Sequence, residues 1–242
     1  MDSEREALRA WRLKAYEELR RIRPDLFANP PGAAYEIVTD PESQARVAEQ
    51  SLAWNVAAGV PEQYADLGVV YQDPFVTLVK DAVRFRSGHL GPYIRLMPTM
   101  SAVTAGAAVL AVHDGKVVLV RHFRHASRSW HWEIPRGFGN SGEDPADTAR
   151  REVAEEVGAE VLKLIPLGPV RMDNGVTRDL PMIYWAEIAP PGRAETDEGI
   201  DEIRLVPVSD LDGMIRDGEL ADAFTLAAIS YASASGLLAG AP

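Results

Sequence analysis

Residues 137–159 read GFGNSGEDPADTARREVAEEVGA, and the reading of this stretch decides the reading of the rest. It predicts a helix over 145–157. Asp144 suits the N-cap, and Pro145 fits the first turn, where its missing N–H costs nothing. Gly158 ends the helix. Ala146, Ala149, Val153 and Val157 recur at steps of three and four, forming one apolar stripe. Glu152, Glu155 and Glu156 lie beside that stripe, and at ~100° per residue they fall within an arc of roughly 100°. Like charges packed so closely raise one another's pKa. A hard divalent cation removes that cost, and carboxylate oxygens are the donors Mg2+ or Mn2+ prefers. A merely solvated acidic face is the plain alternative for a helix with three Glu. The flanking residues weigh against it. Gly137 and Gly142 mark a flexible loop entering the helix, and Glu143 stands at the junction, where it can join the cluster. Arg151 can reach back to Glu143 and fix the loop on the helix, orienting ligands rather than binding metal.

Toward the N-terminus, Trp130–Pro135 is a short apolar segment. Val103–Val112 reads as a buried strand, and Val117–Arg121 returns after the hairpin signal Asp114-Gly115. Phe75–Phe85 and Tyr93–Met97 form a further strand pair around Ser87-Gly88. Beyond the helix, Leu162–Val170, Leu180–Ile188 and Ile203–Val208 are strand candidates. Leu211–Arg216 and Asp222–Ala232 are helical, and the small-residue tail ASASGLLAGAP is expected to fray. Strands on both sides of one well-marked helix, without strict strand-helix alternation, point to a layered α+β domain. At the start, Leu8, Trp11, Ala15, Leu19 and Ile22 predict an amphipathic helix over 5–23, ended by Pro24. A Pro/Asn/Asp-rich loop and a short helical pattern over 42–50 follow. Residues 1–66 carry no chemical motif and read as a packing or dimerisation extension.

The pattern Gly-x5-Glu-x7-Arg-Glu-U-x-Glu-Glu-x-Gly-U, with U a bulky apolar residue, is the Nudix box, and residues 137–159 resemble it at every polar and glycine position. Only Ala159 is smaller than usual. The resemblance implies a Nudix hydrolase fold, an α/β/α sandwich around a mixed β-sheet, over 101–242. It also implies divalent-metal chemistry, with Mg2+ (or Mn2+) held by Glu152, Glu155 and Glu156 and the carbonyl of Arg136. The preceding segment VVLVRHFRHASRSWHWEIPRG is similar to that of ADP-ribose pyrophosphatases and related nucleoside-diphosphate-sugar hydrolases. The match lies in Phe123-Arg124 and in Trp132-Glu133-Ile134-Pro135-Arg136-Gly137. Residues 67–100 resemble the small β-subdomain of that group, which is often exchanged between two subunits, so a homodimer is implied. In that setting Arg124 would grip a phosphate, which a planar guanidinium does better than Lys. Glu133, Trp132 and Gly175 would contact substrate. The implied general base is an acidic residue on the loop GRAETDEGIDEIR, with Glu198 favoured over Glu195, Asp197, Asp201 and Glu202. After the box helix, where the group often has Pro-Gly, this chain reads Met172-Asp173-Asn174-Gly175 and keeps only the glycine.

The expected reaction is thus hydrolysis of the pyrophosphate in ADP-ribose or a related nucleoside diphosphate sugar. Other nucleoside diphosphates linked to X, of the dinucleotide type, are the alternative. A non-catalytic nucleotide-sensing module is a third reading, set against box carboxylates that are all kept. His122, His125 and His131 look like a metal cluster, but His122 and His125 face opposite sides of a strand and no Cys completes the set. No Gly-x4-Gly-Lys-Ser/Thr loop occurs, so a P-loop NTPase is excluded. The 242 residues carry 25 Lys+Arg against 36 Asp+Glu, a net charge of −11, which argues against a nucleic-acid partner. With no cysteine there is no disulfide, thiolate zinc site or catalytic thiol. The charged N-terminus and the lack of a ~20-residue apolar run predict a cytoplasmic protein with no membrane partner.

Overall fold

The computed structural model describes residues 2–99, 106–195 and 197–238. The chain forms two compact units, one from residues 1–100 with 175–178, the other from 101–174 with 179–242.

In the first unit, α1 (Asp2–Ile22), β1 (Tyr35–Ile37), α2 (Pro41–Ala58), β2 (Gly68–Gln72), β3 (Val76–Phe85) and β4 (Leu90–Pro98) follow in order. β3 is the organising strand. β4 pairs along it antiparallel, while β1 takes Val83–Phe85 and β2 takes Thr77–Lys80. Tyr16 and Leu19 of α1 pack with Val69, Val79 and Met97, and Val47 and Ala48 of α2 pack with Ala82 and Leu90. Residues 1–66 therefore share a core with the strands of 67–100. A buried polar knot ties the layers. Asp81 accepts from the Tyr16 hydroxyl (2.7 Å) and from Arg95 Nε (2.6 Å). Residues 175–178 join this unit through β4, where the Leu96 N–H donates to the Val176 carbonyl (2.9 Å). Helix α2 runs eight residues past the pattern read over 42–50, because exposed Trp54 and Val56 break its apolar period.

The second unit contains β5 (Ala107–His113), β6 (Lys116–Arg124), β7 (Ser129–Glu133), β8 (Arg136–Gly137), α3 (Pro145–Val157), β9 (Val161–Pro169), β10 (Met182–Ile188), β11 (Ile200–Pro207), α4 (Val208–Arg216) and α5 (Ala223–Ala234). Residues 103–105 of the expected first strand lie outside the described residues. Asp114 and Gly115 both have positive φ (48° and 73°), as a tight two-residue hairpin turn requires. From that turn β5 and β6 pair only at Val112 with Val117 and His113 with Lys116, then part. The opening is filled by the next segment of chain. β7 pairs with Val120–Arg124 of β6, and β8 pairs with Ala107 and Ala108 of β5. Outside this wedge β11 pairs antiparallel with β6, β10 parallel with β5, and β9 antiparallel with β10, giving a mixed sheet.

Alternation along the strands sorts two cores. Val109, Ala111, Val118 and Val120 face Ala149, Val153 and Val157 of α3. Leu110, Val112, Val117 and Leu119 face Leu211 of α4 and Ala228, Ile229 and Ala232 of α5. The result is the expected α/β/α sandwich around a mixed sheet, an α+β arrangement. The tail departs from expectation. Leu237 N–H returns to the Ala232 carbonyl (2.9 Å), and Leu238 is buried in the core, so fraying does not begin there. Residues 239–242 lie outside the described residues. No helix among those described is long and apolar enough to cross a membrane.

Candidate active site

Helix α3 is fixed at both ends by local chemistry. Asp144 accepts from the Ala146 N–H (2.8 Å), and Gly158 closes the helix at φ 66°. Once Val153 and Val157 are pressed on the sheet, Glu152 and Glu156 are carried inward with them, only 5% and 2% exposed. Glu156 Oε2 accepts from the backbone N–H of Arg136 (3.0 Å), in the β7–β8 segment that fills the wedge. Glu152 lies against Gly137. A Cβ there would come within 2.1 Å of Glu152 Oε1, so the residue must be glycine for the carboxylate to lie where it does.

Burial pushes the Glu156 carboxyl up to about 8; the Arg136 N–H and the Arg124 charge pull it down, and the Glu152 and Glu198 charges add to the rise. Burial also raises Glu152, against the pull of Arg151. Two buried carboxylates that disfavour each other's charge, with the Arg136 backbone beside them, suit a hard divalent cation. Among the described residues no three His, Asp or Glu side chains close into a finished ligand set. The fit rests on the donor chemistry and on the space left by Gly137.

Arg151 binds more broadly than the sequence implies. Its Nε reaches Glu143 Oε1 (3.2 Å), its Nη1 reaches both Glu152 and Glu155 (2.7 Å each), and its Nη2 donates to the Phe138 carbonyl (2.8 Å). One guanidinium thus holds the glycine loop and two box carboxylates in register. Glu155 is the more open of the three box glutamates.

The loop bearing Glu198 docks on the end of the same helix. Gly192 and Glu195 donate backbone N–H groups to the carbonyls of Val157 (3.0 Å) and Glu155 (2.8 Å). Phe123 N–H holds the Gly199 carbonyl (2.9 Å). Between these anchors Glu198 comes close enough to push up both Glu152 and Glu156. Asp201 and Glu202 are committed elsewhere, to surface contacts with Arg121 and Arg204.

Arg124 points to the same side of β6 and donates through Nε to Glu133 (2.9 Å). Arg136 Nη2 contacts the same carboxylate (3.2 Å) and Asp222 (3.4 Å). Glu133 is buried between two arginines that both contact its Oε2, so it orients them rather than lying open to substrate. Trp132 is also misplaced for stacking on a base. It belongs to the α4–α5 core, and the Arg204 guanidinium lies 4.0 Å from its ring centroid. Gly175 belongs to the other unit, where its carbonyl accepts from the Tyr93 hydroxyl (3.2 Å).

Two features escaped sequence reasoning. Phe138 follows the box glycine and is 74% exposed, which its apolar character alone does not foretell. His122, discounted as part of a histidine cluster, is buried with Nδ1 3.8 Å from Glu156 Oε1. Its strand parity, shared with Arg124, was the available signal. Burial and then the Arg124 charge push the ring down to about 4, so it is neutral near pH 7. His131 is taken up within its own hairpin by Ser127 and Ser129 (2.7 and 2.8 Å).

Comparison with known proteins agrees with this architecture. The family model described as NUDIX domain matches residues 100–226, just over half of the chain. The ADP-ribose pyrophosphatase of Bacillus subtilis (strain 168) is 32% identical over 128 residues, covering 51% of this chain and 69% of that protein. The GDP-mannose pyrophosphatase of Klebsiella pneumoniae subsp. pneumoniae is 29% identical over 150 residues, covering 56% and 74%. A crystal structure of an ADP compounds hydrolase superimposes with a TM-score of 0.61 at 20% identity, covering 72% of this chain and 93% of the other, a likeness of fold. A box helix packed on a splayed mixed sheet, matched along this length, places the chain in the Nudix family.

Proposed function

We propose that this Nudix hydrolase cleaves the pyrophosphate bond of ADP-ribose or a related nucleoside diphosphate sugar, giving a nucleoside monophosphate and a sugar phosphate. The observation that carries the reading is the burial of Glu152 and Glu156 against the Arg136–Gly137 backbone, with Glu198, on an independent loop, near enough for its charge to raise them both. The pyrophosphatases among the relatives support the substrate class.

Glu152, Glu156, Glu155 and the Arg136 carbonyl would hold Mg2+ or Mn2+. Such an ion, when bound, offsets diphosphate charge and makes water a better nucleophile at neutral pH. Glu198 takes the proton that water loses as its oxygen bonds to phosphorus and the bridging P–O bond breaks. Arg124, aimed by Glu133, turns the rest of its guanidinium to a phosphate oxygen. Arg151 keeps the Gly137–Glu143 loop and the carboxylates aligned while the substrate enters.

The chain is proposed to act as a cytoplasmic homodimer, with the strands of 67–100 as the exchanged part. The test is a panel of ADP-ribose, GDP-mannose, other nucleotide sugars, NADH and dinucleoside polyphosphates, assayed with Mg2+ and with products identified. Turnover of nucleotide sugars, abolished in Glu156→Gln, is the expected result. Preference for NADH or dinucleoside polyphosphates moves the reading to the dinucleotide type. Tight nucleotide binding without turnover of any compound makes the protein a sensor instead.

A further inference from the structure

The His122 side chain lies between the two halves of the proposed centre. It is 9% exposed, and its Nδ1 is fully shielded from solvent without a hydrogen-bond partner. An unmade hydrogen bond on a buried ring nitrogen costs about 1–3 kcal/mol, so its placement needs a reason. Nδ1 faces Glu156 Oε1 at 3.8 Å. The opposite edge of the ring borders Gly199, where a Cβ would lie 3.8 Å from Nε2 and 3.9 Å from Cδ2. His122 is also paired in register with Ile200, two residues after Glu198. The ring therefore fills the gap between the inward carboxylate of α3 and the backbone that carries Glu198.

We infer that His122 is a positioning residue whose Nδ1–H directs Glu156 Oε1 toward the metal while its ring sets the rest position of the Glu198 loop. The inference rests on the metal-dependent reading above. A carboxylate held ionised by a divalent ion only accepts hydrogen bonds, so the nitrogen facing it must carry the ring's proton. Movement of Oε1 by about 0.6 Å toward the ring brings the pair within hydrogen-bond range. Partners of this kind fix ligand orientation, and losing one weakens metal binding on the order of 10–100-fold.

Three substitutions in the full chain separate the donor from the ring. His122→Asn keeps an N–H at the level of Nδ1, His122→Gln moves it out to the level of Nε2, and His122→Phe keeps the ring without a donor. Mn2+ affinity is read by the electron paramagnetic resonance of free Mn2+, with Glu156→Gln as the reference for loss of the site. Phe and Gln are expected to weaken Mn2+ binding on the order of 10–100-fold, and Asn to stay within about threefold of the unsubstituted chain. Equal loss in all three variants, or no loss in Phe and Gln, overturns the inference. Mn2+ binding by the unsubstituted chain that Glu156→Gln leaves unchanged overturns instead the placement of the metal. Far-UV circular dichroism in EDTA shows whether each variant folds. Should the Phe protein not fold, the contrast between Gln and Asn decides the matter.

Discussion

A single methyl group at position 137 tests whether Glu152 needs the space it occupies. In Gly137→Ala the new carbon would sit 2.1 Å from the carboxylate oxygen, and either the loop or Glu152 must yield. Activity is expected to fall on the order of 100-fold, the scale of a misplacement of about 1 Å, while circular dichroism stays native. Glu156 gives a second test, through pH. Its folded pKa of about 8 lies above the ordinary value of 4.5, so the folded state binds the extra proton between these values. Stability from this group is full below the ordinary value and is lost as pH rises through about 8. In EDTA, Tm is expected to drop more steeply from pH 5 to 8.5 in the unsubstituted chain than in Glu156→Gln. Saturating Mg2+ should shrink that difference, and parallel curves for the two proteins would contradict the assignment. The box carboxylates were legible because chemistry and spacing coincide within one helix. Trp132 and Glu133 were not, because the strand supplies only parity. Which parity meets solvent, core or an arginine depends on partners on other strands, here Arg204 and Arg124.

The elements show the same division between local and distant causes. Helix α3 was readable to the residue because cap, first-turn proline and terminal glycine are all local signals. The Asp114-Gly115 turn was readable for the same reason. β8 is two residues long and exists because β5 and β6 diverge, which no local pattern announces. β1 sits inside a Pro/Asn/Asp-rich stretch and owes its form to pairing with β3. Gly158 links helix to loop. A Cβ there would meet the Arg193 carbonyl at 2.4 Å, and φ is 66°. Gly158→Ala is expected to cost about 1–3 kcal/mol of stability and to displace the strand-ward loop carrying Glu198. A stopped assay should show kcat reduced while Mn2+ affinity is kept. Loss of both together would place the damage in the helix instead. Asp144→Ala, which removes only the cap, is expected to lower stability by about 1 kcal/mol with kcat intact.

At the scale of the whole molecule, two compact units imply separable effects. Asp81 is 1% exposed and accepts from Tyr16 and Arg95, so Asp81→Asn strands a largely buried guanidinium. The cost is expected to be about 3 kcal/mol, seen as a lower denaturant midpoint for the first unit. Mn2+ affinity should not change, since every proposed ligand lies in the second unit. That the N-terminal helices share a core with β2–β4 was hidden in the sequence, where nothing marks which apolar stripe meets which strand.

The four residues that leave the second unit to pair beside β4 have a practical corollary. The first unit is assembled from two separate stretches of chain, so it is not a detachable cassette. Deleting residues 1–100 would strip Val176 of the amide its carbonyl accepts from and leave a severed patch of backbone in the span joining β9 to β10. Gene fusions, domain grafts and truncations that cut only once will inherit that scar, whereas a graft replacing both stretches together will not.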